Sequence, residues 1–144
     1  FYNRILSGTP NHQAPITFTR LALAKEGHRL YAYGINAGGI KLDAPYPTGS
    51  TFLARGGQPE KVAPILEKIS AFLPKWNTAF VRPPVKTMNH IGLIFAGLHP
   101  GLSGILLGVS SLPQLHETLD FWRIFEVFDY ADVFSALKKI HLQL

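Results

Sequence analysis

The chain has 144 residues, of which 47% are hydrophobic, and its formal net charge is +5 at pH 7. This length predicts a single domain with a substantial core, and the apolar content argues against disorder. The chain has no cysteine, which excludes disulfides and thiolate metal sites, and its six histidines show no metal-ligand spacing. We therefore expect no bound metal.

The basic residues are scattered along the chain, and Lys138 and Lys139 form their only adjacent pair. Proteins that bind nucleic acids cluster their basic residues and interleave them with aromatic ones. We therefore expect no nucleic-acid partner. No basic segment followed by an apolar stretch marks the first residues as a signal peptide, so a cytoplasmic location is expected.

The apolar pattern predicts strands and helices in alternation. Helices are predicted at residues 17–26, 59–73, 86–98, 112–125 and 130–142, and strands at residues 1–2, 30–33 and 104–107. Long loops are predicted at residues 35–58 and 74–85, which are rich in glycine or proline. Short apolar strands between helices are typical of an α/β fold with parallel strands, covering helices and burial on both faces. Three strands leave open edges, so a larger sheet or barrel is expected.

Residues 91–109 form a mostly apolar window that is long enough to span a membrane. His99, Pro100 and Gly101 interrupt this window with the chemistry of a turn. The sequence therefore favours a buried helix, a turn and a buried strand over a membrane-spanning helix, and no membrane association is expected.

Two serines stand between the last predicted strand and the helix that follows it. Ser110 and Ser111 come directly before the helix, where unpaired backbone N–H groups and the positive end of the helix dipole attract phosphate. The same residues also fit a helix cap, in which Ser111 is the N-cap and Gln114 completes a capping box. A capped helix and a phosphate site are compatible, so both interpretations stand.

Three stretches of the sequence resemble consecutive signatures of the aldo-keto reductases, closest to the aflatoxin-aldehyde-reductase-type and potassium-channel-β-like branches. They are residues 1–3, 23–39 and 107–118, and the turn at residues 99–101 also fits. The resemblance implies a partial (β/α)8 TIM barrel: residues 1–122 would be its C-terminal β/α units, and residues 123–144 a C-terminal helix. We expect a fragment, a processed chain or an incompletely determined sequence.

The resemblance also implies an NADP(H) site. Tyr33 would stack on the nicotinamide, and the loop with Gly34, Asn36, Gly38 and Gly39 would approach the phosphates. Ser110 and Ser111 would hold the 2′-phosphate of the adenosine, while Gln114 and Glu117 would lie along the adenine and ribose. For Tyr33 an aromatic packed at a strand end remains an equal alternative, and Glu117 is equally well an exposed helix charge.

The chain departs from the family pattern at three places. The family usually has Pro-Leu where this chain has Ile35 and Asn36, an Arg or Lys where it has Ser110, and an Asn where it has Thr118. The family's catalytic Tyr, Lys, His and Asp belong to the first half of the barrel, which this sequence does not contain. No catalytic residue is therefore assigned.

Two functions follow from this pattern. The first is the C-terminal cofactor-binding portion of an NADP(H)-dependent oxidoreductase that acts on aldehydes or ketones. Its partners would be the N-terminal barrel half and a small carbonyl substrate. The alternative is a non-catalytic structural or interaction subunit, derived from such a protein, whose open sheet edges are covered by a partner in a larger assembly.

Overall fold

The computed structural model of the chain describes residues 26–36, 38–43 and 45–142. This part of the chain has a mixed α/β fold that is mostly helical. Its elements in order are β1 (Tyr31–Tyr33), α1 (Thr51–Ala54), α2 (Pro59–Ala79), α3 (Met88–Gly97), β2 (Gly104–Leu106), α4 (Leu112–Val127) and α5 (Ala131–Leu142). The strand predicted at residues 1–2 lies outside the described residues. So does the helix predicted at 17–26, except for Glu26, which lies in a turn.

The two strands pair in parallel, with Tyr31 opposite Gly104 and Tyr33 opposite Leu106. Ala32 and Ile105 are partly buried against the core, because α3 packs against β2 on that side. On the opposite face Tyr33 is 51% exposed and Leu106 is 57% exposed. Among the described residues, helices cover only one face of this sheet, whereas the sequence predicts burial on both faces.

Helix α2 is amphipathic as predicted, and it buries Val62, Ile65 and Ile69 at helical spacing. It continues to Ala79, six residues past its predicted end, so the first half of the loop predicted at 74–85 is helix. Pro64 and Pro74 both lie inside the helix and are exposed. Burial of Trp76 beyond the second proline gives the chain a reason to continue as helix, because it places a large aromatic side chain in the core.

Helix α3 lies at the centre of the core and contacts both α4 and α5. Its apolar residues are buried almost all round, and Thr87 caps its start by accepting a hydrogen bond from the His90 N–H. After the helix, Leu102 N–H donates to the carbonyl of His99 at 3.0 Å and closes the predicted turn. The order helix, turn and strand is confirmed. In the described part of the chain, no helix combines the length and apolar character needed to cross a membrane.

The loop predicted at residues 35–58 contains one short helix, α1, which the sequence analysis missed. Phe52 on this helix is almost fully buried and packs beside Gly57, where a Cβ atom would lie 2.5 Å from the aromatic ring. A buried aromatic residue in a glycine-rich segment anchors the loop to the core. The helical pattern is too short to identify from sequence.

Candidate cofactor site

The parallel pairing of β1 and β2 determines which segments meet. The carboxyl ends of parallel strands lie at the same edge of a sheet, and this edge is where open α/β sheets bind ligands. One segment that leaves this edge contains Gly34, Asn36, Gly38 and Gly39, and the other leads from Leu106 to Ser110 and Ser111. The two segments that the sequence singled out therefore follow neighbouring strands at one end of the sheet.

The loop after β1 is built on glycine. Gly34, Gly38 and Gly39 have φ angles of 63°, 81° and 98°, in the left-handed region that side chains disfavour. The N–H groups of Gly39 and Ile40 both donate to the carbonyl of Asn36, at 2.8 and 3.0 Å. Glycine is needed here for the shape of the loop itself, whether or not a ligand approaches it.

A cation that the sequence analysis did not consider lies beside this loop. A Cβ atom built on Gly38 would be 3.5 Å from Cδ of Arg55 and 3.9 Å from its Nη1. Arg55 is the C-cap of α1, so the missed helix is what carries this guanidinium to the glycine loop. An exposed guanidinium over a backbone turn is suited to a phosphate group.

The start of α4 is capped by its own side chains. Ser111 is the N-cap and its Oγ accepts a hydrogen bond from the Gln114 N–H at 3.4 Å, which confirms the predicted cap. Gln114 Oε1 accepts from both the N–H and the Oγ of Ser110, each at 3.0 Å. In the predicted capping box, the Gln114 side chain accepts a hydrogen bond from the N–H of Ser111. In the structure it accepts from the N–H of Ser110 instead. An anion that binds Ser110 must displace the Gln114 carboxamide.

Glu117 links α4 to the start of α3. Its Oε1 accepts from the Thr87 hydroxyl at 3.2 Å and lies 3.5 Å from Nε2 of His90. The His90 ring stacks on Phe121 with centroids 3.7 Å apart, and its Nδ1 accepts from the Lys86 N–H. Burial lowers the pKa of His90, and the opposing charge of Glu117 does not offset it. His90 is therefore neutral at pH 7, with its proton on Nε2 facing Glu117.

Three polar side chains form a hydrogen-bonded series between the loop after β1 and α4. Asn36 Nδ2 donates to Asn89 Oδ1 at 2.8 Å, and Asn89 Nδ2 donates to Thr118 Oγ1 at 2.9 Å. Thr118, itself buried, donates onward to the Gln114 carbonyl at 2.7 Å. We call this series the Asn89 bridge. The sequence analysis missed Asn89, although a polar residue within an apolar helix signals a buried hydrogen bond.

Helix α3 also shapes the site through Gly92. A Cβ atom at Gly92 would lie 2.9 Å from Asn36 Oδ1 and 3.1 Å from the Ile35 carbonyl. The loop after β1 therefore rests on the helix backbone itself. Asn36 Oδ1 is buried there without a hydrogen-bond partner among the described residues, which is a cost of this close approach.

A separate groove of about 360 Å³ lies between α2 and the side chains of Lys41, Leu42 and Tyr46. It is mostly apolar and is lined by Lys41, Leu42, Tyr46, Pro59, Glu60, Ala63, Leu66, Glu67 and Ser70. The predicted cofactor residues do not line it. Among the residues that the structure describes, no group of three or more His, Asp or Glu side chains is placed to hold a metal ion.

Comparisons of this chain with protein-family models, with curated proteins and with solved structures give no match. The class of protein is therefore defined by the fold of the described residues alone: mostly helical α/β, with two strands paired in parallel. The roles of the residues at the carboxyl edge of that sheet therefore depend on their own contacts.

Proposed function

We propose that this chain is the C-terminal, cofactor-binding portion of an NADP(H)-dependent oxidoreductase that resembles the aldo-keto reductases and acts on aldehydes or ketones. The observation that supports it best is the parallel register of Tyr31–Tyr33 with Gly104–Leu106. With this register, the ends of both strands lie at one edge of the sheet, and the glycine loop and the segment with the serine pair begin there. Ser110 and Ser111 are exposed there, as a binding role requires.

The exposed face of the sheet supports a partial barrel. In a (β/α)8 barrel helices cover the outer face of the strands, and the inner face packs against side chains from the other strands. Here Tyr31, Tyr33 and Leu106 share an exposed face opposite the helices. We infer that the N-terminal half of the barrel is the partner that covers this face and extends the sheet. We propose that both halves are cytoplasmic.

Each residue of the site has a proposed task. Tyr33, half exposed at the end of β1, offers its ring to the nicotinamide, and Gly34, Asn36, Gly38 and Gly39 give the phosphates a close backbone approach. Ser110 and Ser111 hold the 2′-phosphate after Gln114 has released Ser110. Gln114 and Glu117 then lie along the adenine and ribose.

The chain's own residues bind and orient the cofactor. NADP(H) supplies the hydride chemistry when it is bound, and the partner half supplies the proton donor for the carbonyl substrate. Arg55 beside Gly38 provides a positive charge that the serine pair lacks, because the family's usual cation is replaced by Ser110.

The test is a titration of NADPH into the full chain, alone and mixed with an N-terminal barrel half, followed by cofactor fluorescence. We expect Arg55→Met to weaken binding about tenfold, since a charge-assisted bond to phosphate contributes about 1.5–3 kcal/mol. Arg123→Met is the matched control, because Arg123 is an exposed arginine on α4 that pairs with Asp120. No binding by the wild type in either state would remove the proposal.

A second candidate function is a non-catalytic subunit that uses the open sheet face for assembly. It is favoured by the apolar character of that face and by Gln114, which already occupies the donors of Ser110. If the chain has this function, it should purify in a defined complex and should not bind NADPH. The combined substitutions Tyr33→Ser and Leu106→Ser should release the partner. Size-exclusion chromatography with mass determination on native material separates the two functions.

A further inference from the structure

The strongest unexplained feature of the site is the position of Asn89. Asn89 and His90 are the polar residues of the otherwise apolar helix α3, and the nearby Met88 and Ile91 are buried. The Asn89 carboxamide uses its oxygen toward Asn36 and its nitrogen toward Thr118. A polar side chain placed in a helix of this kind must recover its lost hydration through hydrogen bonds.

One partner of Asn89 comes from the loop after β1, and the other comes from α4, the helix that follows the serine pair. Asn36 belongs to the loop after β1, and its carbonyl forms the turn with Gly39. Thr118 lies on α4 about two turns beyond its N-cap Ser111 and donates back to the Gln114 carbonyl. The Asn89 carboxamide therefore connects the loop after β1 to α4 through two hydrogen bonds.

Asn36 and Thr118 are also two of the positions at which the chain departs from the aldo-keto reductase pattern. The structure connects these departures, since both side chains bond to Asn89. Gly92, one turn further along α3, lets the loop come close enough for this contact.

We propose that Asn89 is a positioning residue that fixes the glycine loop relative to the start of α4, so that the two segments bind one ligand as a unit. This inference deepens the proposed function and depends on it for the identity of the ligand. The coupling between the segments does not depend on any ligand, because it is carried by hydrogen bonds within the chain.

The first measurement is a double-mutant cycle on the thermal unfolding of the full chain. Asn36→Ala and Thr118→Val each remove one end of the Asn89 bridge, and each is expected to lower the melting temperature by about 3 °C. The double variant should lose clearly less than the sum of the two, because each single change removes one of the two hydrogen bonds that hold the Asn89 carboxamide and thereby weakens the other. Additive losses would overturn the coupling, with or without a cofactor.

The second measurement is the affinity for NADPH. Asn89→Leu keeps the side-chain shape and removes both hydrogen bonds, and the dissociation constant should rise at least about fivefold. Asn77→Leu is the matched control: Asn77 also makes two hydrogen bonds, to the N–H and carbonyl of Val85, but is not part of the Asn89 bridge. It should lower the melting temperature and leave the affinity unchanged.

The outcomes separate this inference from the proposed function. If Asn89→Leu binds NADPH as well as the wild type does, Asn89 has no positioning role. If the wild type does not bind NADPH while the cycle remains non-additive, the proposed function fails and the coupling of the two segments stands.

Discussion

The guanidinium of Arg82 donates to both carboxylate oxygens of Asp132, at 2.6 and 2.8 Å. The same group donates to the carbonyl of Trp76 at 3.1 Å and to that of Asp129 at 2.6 Å, and it lies over the Tyr130 ring. Its side chain is only 3% exposed. This arrangement ties the segment after α2 to the start of α5 and satisfies the donors of a buried charge.

We expect Arg82→Met to lower the free energy of unfolding by about 3 kcal/mol, because it leaves Asp132 and two backbone carbonyls without their donor. Denaturant unfolding measures this loss. Arg123→Met is the control, since the Arg123–Asp120 pair lies at the surface with both side chains largely exposed. That change should stay within about 0.5 kcal/mol. Equal effects of the two substitutions would contradict a structural role for the buried pair.

The buried imidazole of His90 makes stability depend on pH. Burial lowers its pKa in the folded chain, with Glu117 acting in the opposite direction. The unfolded chain therefore takes up this proton first, near the usual pKa of about 6.5. Stability should be complete above that pH and fall as the pH drops below it, with a slope of at most about 1.4 kcal/mol per pH unit.

The matched variant is His90→Gln, which cannot titrate. Melting temperatures between pH 7.5 and 5.0 should fall less steeply for this variant than for the wild type. His99 contributes a slope of its own, because burial and the charge of Lys138 lower its pKa too. If the melting temperature of His90→Gln falls with pH as steeply as that of the wild type, His90 has the same pKa in the folded and unfolded chains.

Gly92 should tolerate no side chain. The atoms that a Cβ would meet include the Ile35 carbonyl, at 3.1 Å, and a backbone atom cannot move aside without shifting the loop. We expect Gly92→Ala to lower the free energy of unfolding by about 1–3 kcal/mol, even though alanine favours helices. Gly108→Ala is the control, because nothing lies within 4 Å of a Cβ there. A stabilised Gly92→Ala variant would show that the loop does not rest on α3.

The periodicity of the sequence predicts the larger helices but does not predict where they end. The spacing of Val62, Ile65 and Ile69 marks α2 because those side chains face one core. Pro74 suggested an end to the helix, but a proline ends a helix only where no burial beyond it offsets the lost hydrogen bond. Trp76 supplies that burial.

Site residues could be predicted only where local sequence determines them. The cap at Ser111 depends on residues within one turn, and the glycine loop depends on its own φ angles. Asn89 and Arg55 reach the site through tertiary packing, from a central helix and from a short helix inside a loop. Their sequence neighbours give no indication of these partners.

The last prediction separates the structural and ligand-binding roles of Ser111. Its Oγ caps α4 through the Gln114 N–H, and aspartate is an equally good N-cap that also favours the positive end of the helix. Ser111→Ala should therefore lower the free energy of unfolding by about 1 kcal/mol, whereas Ser111→Asp should keep wild-type stability.

In a phosphate site the same aspartate places a negative charge against the ligand. We therefore expect Ser111→Asp to abolish NADPH binding while the fold remains intact, and Ser111→Ala to weaken binding only moderately. Melting curves and NADPH titrations on both variants measure the two effects. If the aspartate variant binds NADPH as tightly as the wild type, Ser111 caps a helix and does not hold the 2′-phosphate.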